Sequence, residues 1–164
     1  SSAASDVYKR QIKPNYLILG DKDFQQTLVI KKLVQNMILK TKIKLIKTHR
    51  MQSGLALSSR NLLLSNTGRA NAANLFKTMK DIKSIIKNKG LLITEFNNYK
   101  KLLISSGFEK VNYLEIRNEN DLSNIDTKPT KARLFASANI ENIKLIDNLS
   151  LGKISIHNKY YTSS

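Results

Sequence analysis

Four apolar residues in succession, Tyr16-Leu17-Ile18-Leu19, are closed by Gly20. A run this short, bounded by glycine, predicts a strand covered on both faces, as in a parallel sheet. Phe24, Leu28, Ile30, Leu33, Val34 and Met37 then recur at helical spacing, and Asp23 is placed to cap or charge the helix start. Lys42 to Lys47 partly alternates, with Ile43 and Leu45 on one side, and reads as a second strand. Strand, helix, strand is a βαβ unit, and such units are almost always right-handed.

The pattern changes after Asn61. Leu62-Leu63-Leu64 leads to Ser65, a candidate N-cap, and Ala70, Ala73, Phe76, Met79, Ile82 and Ile86 trace a long amphipathic helix that Gly90 can end. Thr94 is placed to cap a further helix through Phe96, Tyr99, Leu102 and Leu103, stopped near Gly107. Val111 to Arg117 reads as a strand, and the polar stretch Asn118 to Thr130, with Pro129, as loop. Arg133 to Ala138 and Ile143 to Ile146 predict two strands joined by the polar turn Asn139 to Asn142. From Lys153 onward the pattern is weak, and the tail is expected to fray. Ser1 to Gln11 carries no apolar periodicity and is read as a non-native leader, such as a tag, a cloning scar or a translated adapter. The chain as a whole is therefore expected to be α/β in its first part and α+β in its second.

A chain of 164 residues with 41% hydrophobic and 24% charged residues can bury a real core in one or two small domains. No apolar run approaches the roughly 20 residues that span a bilayer. With no cysteine, disulfides, thiolate metal sites and cysteine nucleophiles are excluded. No targeting segment is recognisable, so the cytoplasm is the expected compartment and no membrane partner is expected. The formal net charge of +16 raises nucleic-acid binding by counterion release. The lysines, however, are scattered from Lys9 to Lys159 without a block of five or six, which reads as compositional bias. The field would still draw in ATP and carboxylate substrates.

Two segments carry candidate chemistry. In Gly20-Asp21-Lys22-Asp23-Phe24-Gln25-Gln26, a glycine at a strand end lets a ligand approach the backbone, and a helix start favours an anion. Lys22 adds a full positive charge, Asp23 can accept from a ribose, and Gln26 can donate to and accept from a polar substrate one turn on. In Gly54-Leu55-Ala56-Leu57-Ser58-Ser59-Arg60-Asn61, two hydroxyls precede an arginine whose fork of N–H groups suits phosphate. Each taken alone is a weak motif and fits an ordinary turn. Two such loops after consecutive parallel strands would open at the carboxyl edge of one sheet, where α/β folds place ligands.

Here a resemblance enters. GDKDFQQ looks like the GEKDFQQ or GEKDYQQ of the pantothenate synthetase (pantoate–β-alanine ligase) family, with Asp21 in place of the usual acid. HRMQSGLALSSRN is similar to the family's VREADGLALSSRN, and VNYLEIRN and IKLIDN resemble its later strands. The resemblance runs from about Ile12 to Leu151. It implies that residues 12–62 are the C-terminal part of a Rossmann-like (HUP-type) nucleotide-binding domain. It implies a smaller α+β domain over 63–152, with 153–164 as tail. It also implies an ATP-dependent ligase that forms pantoyl adenylate, releases pyrophosphate, and lets β-alanine displace AMP, with magnesium bound alongside the nucleotide. By position, Gly20, Asp21, Lys22, Asp23, His49, Leu57, Ser58, Ser59 and Arg60 are implied for ATP. Among them Lys22, Ser58, Ser59 and Arg60 would be catalytic, and His49 would act through its main chain. Gln26 is implied for pantoate, and a homodimer for the full-length family.

The sequence also departs from the family. The family's opening half, with its HxGH-type histidines, has no counterpart here, and the two histidines present, His49 and His157, are not in that arrangement. The chain alone is therefore expected to be inactive and marginally stable, with the Tyr16–Leu19 strand left as an edge. Ser53 stands where an acid is usual. Gly68 stands near the usual capping-box glutamate, which predicts a weaker helix start. Two alternatives stay open. One is a basic nucleic-acid-binding module stacking bases on Tyr8, Tyr99, Tyr113, Tyr160 and Tyr161, although nucleic acid is not the expected partner. The other is a different adenylyl or nucleotidyl transferase on a related fold.

Overall fold

Tyr16–Gly20 (β1) and Lys42–Ile46 (β2) form a parallel pair, Tyr16 opposite Lys42 and Gly20 opposite Ile46. They belong to a computed structural model that describes residues 14–89, 96–125 and 128–155. Between them a 3-10 turn, Asp21–Asp23, runs directly into the helix Phe24–Asn36 (α1). This is the βαβ unit expected from the apolar pattern. Phe24, Thr27 and Val34 are the buried positions of α1. Thr27 had no place in the hydrophobic reading, because its hydroxyl classes the residue as polar although its methyl can be buried. Asp23 sits at the N-cap position, but its side chain makes no capping hydrogen bond. The expected cap is thus absent, because the 3-10 turn already leads the backbone into the helix. Coverage of β1 on both faces is also not observed: Tyr16 and Ile18 are each 59% exposed. A two-stranded sheet with one helix has a single covered face.

By its contacts the chain divides into two compact units, 1–48 and 49–164. The segment 49–62, assigned above to the first domain, thus clusters with the second unit. That unit holds the helices Asn66–Lys89 (α2) and Phe96–Ser105 (α3) and the strands Lys110–Asn118 (β3), Thr130–Ile140 (β4) and Ile143–Ile154 (β5). The three strands form one antiparallel sheet in the order β3-β4-β5. Along α2 the buried ridge is Ala72, Leu75, Met79, Ile82 and Ile86, a 3-4-3-4 spacing that lays one stripe on the sheet. It meets Leu103 of α3, Leu114 of β3, Leu134, Ala136 and Ala138 of β4, and Leu145 of β5. Each fully buried leucine, isoleucine or methionine side chain there contributes roughly 1.5–3 kcal/mol relative to exposure.

Two details of this unit correct the sequence expectations. Leu102, placed on the apolar face of α3, is 52% exposed, while Leu103 is fully buried. β5 continues through Ile154, paired with Thr130, instead of fraying from Lys153. The register shifts between Ala132 and Arg133, and Gly152 adopts φ +78, so a bulge interrupts the alternation that would have marked the strand. The expected helix stop at Gly90 and the expected cap at Thr94 lie outside the described residues, as does His157.

Candidate functional site

In the first unit, Gly20, Asp21, Lys22 and Asp23 follow one another from the carboxyl end of β1 into the 3-10 turn, and Gln26 lies in the first turn of α1. Asp23 and Gln26 are exposed; Asp21 and Lys22 are half-buried. Gly20 has φ −76 and ψ 133, which any residue adopts, and a Cβ built there would meet nothing within 4 Å among the described residues. Neither backbone conformation nor packing therefore calls for glycine at this position. A cavity of about 700 Å³ lies at the opposite end of these strands, lined by Pro14, Asn15 and residues 36–41, away from the residues marked by sequence.

In the second unit, His49 and Leu57 are brought together: the Leu57 N–H donates to the His49 carbonyl at 2.9 Å. Between them Arg50 bridges Ala56, and the Gly54 N–H donates to the Met51 carbonyl at 2.8 Å, closing a tight turn. Gly54 at φ +90 is required twice over, since a Cβ would also lie 2.8 Å from the Phe76 ring. Ser58 then caps the 3-10 turn Ser59–Leu63, its Oγ accepting from the Arg60 N–H at 3.3 Å. Asn61 is buried; its Nδ2 donates to the Ala56 carbonyl at 2.9 Å, while its Oδ1 has no partner among the described residues. The Ser58–Arg60 loop thus presents two hydroxyls and an exposed guanidinium from a backbone held on both sides.

Three side-chain contacts lace residues 50–65 along β5 and its turn. Arg50 forms a two-pronged ion pair with Asp147, at 2.6 and 2.9 Å, and stacks 3.5 Å from the Phe76 centroid. Arg60 donates through Nη1 to the Lys144 carbonyl at 3.1 Å. The Ser65 N–H donates to the Glu141 carboxylate at 2.7 Å, and the Ser65 hydroxyl donates to its other oxygen. These donors, the hydroxyl first, hold the Glu141 carboxyl below the usual carboxylate range. Ser65 Oγ also accepts from the Gly68 N–H at 2.9 Å, so Ser65 is the N-cap expected for α2. The weakened start predicted from Gly68 is corrected here. A carboxylate does reach the cap, but it comes from Glu141, and a Cβ on Gly68 would lie 2.5 Å from that carboxylate.

Asp147 and Glu141 were not singled out by sequence. Asp147 left a signal, an acid between Leu145 and Leu149 on the inward register of a strand. Glu141 left none, because its partner is 76 residues away in the chain.

Comparison with known proteins settles the family. A family model described as Pantoate-beta-alanine ligase matches residues 8–150. The chain belongs to the pantoate–β-alanine ligase family. A pantothenate synthetase of Shewanella woodyi is 41% identical over 138 residues, which is 84% of this chain and 49% of that protein. One from Nitrobacter winogradskyi is 34% identical over 142 residues, 86% of this chain and 50% of that protein. The chain thus spans about half the length of these curated relatives. Among solved structures, a pantothenate synthetase from Thermus thermophilus matches with TM-score 0.82 and 25% identity, covering 90% of this chain and 54% of that one. A Francisella tularensis pantoate-beta-alanine ligase complexed with Beta-gamma ATP and Beta-alanine matches with TM-score 0.65 and 30% identity, covering 88% and 46%. Among the described residues no helix is long and apolar enough to cross a membrane, and no three His, Asp or Glu side chains gather as metal ligands.

Proposed function

We propose that this chain carries the nucleotide-closing portion of a ligase that condenses pantoate with β-alanine at the expense of ATP. In this reading a pantoate carboxylate oxygen attacks the α-phosphorus, pyrophosphate leaves, and the β-alanine amine then displaces AMP. Gly20, Asp21, Lys22 and Asp23 serve ATP, with Asp23 at the ribose. Gln26 serves pantoate. Leu57, Ser58, Ser59 and Arg60 serve the phosphates, where preorganised donors and cations stabilise the charge that develops. His49 contributes main chain only, its carbonyl already accepting from Leu57. Magnesium enters as counter-ion to the nucleotide's phosphates. The reading extends to a cytoplasmic homodimer as the working form of the complete family member, and to a chain that is inactive alone.

The observation that supports this best is Gly20. Within a family motif, it stands at a strand end where the fold itself does not ask for glycine, which is what a ligand lying against the backbone would require. The test is amide exchange with and without ATP. Protection of both residues 20–26 and residues 54–61 is expected; protection of neither segment, or of one alone, refutes the assignment. RNA binding that falls steeply with salt, without ATP protection, would favour the basic-module alternative. The chain alone is expected to yield no pantothenate from ATP, pantoate and β-alanine, and product formation would overturn the claim of inactivity.

A further inference from the structure

A helix N-terminus leaves four N–H groups without intrahelical partners. A capping box answers this with a serine at the N-cap and a glutamate or glutamine three residues later, whose carboxyl group returns to the serine N–H. At the start of α2 the serine is Ser65 and the residue three later is Gly68, so the box is half missing from the local sequence. Its other half arrives from the β4–β5 turn. Glu141 accepts from both the N–H and the hydroxyl of Ser65, while Ser65 Oγ accepts from the Gly68 N–H. A side chain at Gly68 would displace this carboxylate, since a Cβ there would sit 2.5 Å from it. The turn that offers this carboxylate is itself specialised, with Glu141 at φ 50 and Asn142 at φ 61. The Asn142 N–H is anchored on the Glu109 carboxylate at 3.1 and 3.2 Å.

The clamp lies four residues beyond Asn61 and just after the 3-10 turn Ser59–Leu63, within which Arg60 bonds the Lys144 carbonyl. Buried Leu64 is the single residue between that turn and Ser65. We propose that Glu141 is a positioning residue for the Ser58–Arg60 loop. It completes the capping box of α2 from across the unit and thereby holds the loop in the geometry that meets a polyphosphate. The phosphate clause rests on the proposed function above; the clamp itself does not.

The experiment is residue-resolved amide exchange on the whole chain, comparing wild type with Glu141→Ala, Glu141→Gln, Gly68→Glu and the double variant Glu141→Ala/Gly68→Glu. Inorganic pyrophosphate serves as the binding probe, followed by the Arg60 resonances. Glu141→Ala is expected to speed exchange about tenfold at Ser65 and Gly68, the size of effect seen when a cap is lost, and by a comparable factor at Arg60 and Asn61. Glu141→Gln, which keeps an acceptor for the Ser65 N–H, should retain most of the protection. Gly68→Glu alone should loosen the segment by crowding Glu141, yet in the Glu141→Ala background it should restore protection by rebuilding the box locally. Faster exchange confined to Ser65 and Gly68 would reduce Glu141 to an ordinary cap and overturn the positioning role. Failure of the double variant to recover would overturn the capping mechanism. If wild type shows no response to pyrophosphate, the phosphate assignment fails, while the exchange pattern still decides the clamp.

Discussion

Replacing Arg50 with methionine removes the cation that ties the 49–57 turn to the sheet while keeping a side chain of similar length over Phe76. Asp147, 4% exposed at its side chain, would lose both prongs of its ion pair and keep the Asn148 N–H at 2.8 Å. Removing one member of a buried pair costs about 3–5 kcal/mol, because the other charge is left unmatched. Arg50 is 18% exposed and Asp147 retains a donor, so the lower end applies, about 3 kcal/mol. The methionine sulfur recovers only part of the stacking on Phe76, roughly 0.3–1.5 kcal/mol. Asp147→Leu alone should cost about as much by stranding the guanidinium. The double variant Arg50→Met/Asp147→Leu should cost much less than the sum, since apolar replacement of a buried pair is often near neutral. Stability would be read from the slowest-exchanging amides of β4 across a urea series, so that the second unit is followed by itself. Single variants that cost under about 1 kcal/mol, or a double variant equal to the sum of the singles, would refute the view that this pair holds the loop-bearing segment.

Four other outcomes follow from the same geometry. Gly54→Ala, forced into φ +90 with its Cβ 2.8 Å from the Phe76 ring, should destabilise the second unit by roughly 1–3 kcal/mol, measured by the same urea series; a neutral result would contradict the tight turn. Gly20→Val should leave thermal stability unchanged or raised, because its Cβ position is open, yet abolish ATP-dependent protection of residues 20–26. Because Ser65 holds the Glu141 carboxyl below its usual range, the clamp should be complete at neutral pH and fail only as pH falls through that lowered value, below the ordinary glutamate range. Exchange at Gly68 measured from neutral pH downward should show that loss in wild type and not in Glu141→Gln. Finally, β1 and β2 amides should exchange well before those of β4, since a two-stranded parallel pair with Tyr16 and Ile18 exposed is marginal; equal protection would refute this.

The βαβ unit was legible because β1, α1 and β2 each carry their period in consecutive residues. The family was legible for a related reason: GDKDFQQ and GLALSSRN place glycine, cations and hydroxyls side by side in the chain. The buried stripe of α2 was only half legible. Ala70 and Ala73 fit a helical period as well as Ala72 and Leu75 do, and only the sheet beneath selects between them. Leu102 and Leu103 pose the same ambiguity between neighbours, and packing buries the second.

Local order along the chain thus determined the element types, the turn residues and the family to which the motifs belong, because those depend on neighbours a few residues apart. The tertiary structure decided what holds the Ser58–Arg60 loop in place. Arg50 finds Asp147, Arg60 finds the Lys144 carbonyl and Ser65 finds Glu141 only because the β4–β5 hairpin folds back alongside residues 50–65. Hydrogen bonds, charged ones included, form at about 3 Å, and partners separated by 76 to 97 residues come within that reach only after the sheet has formed.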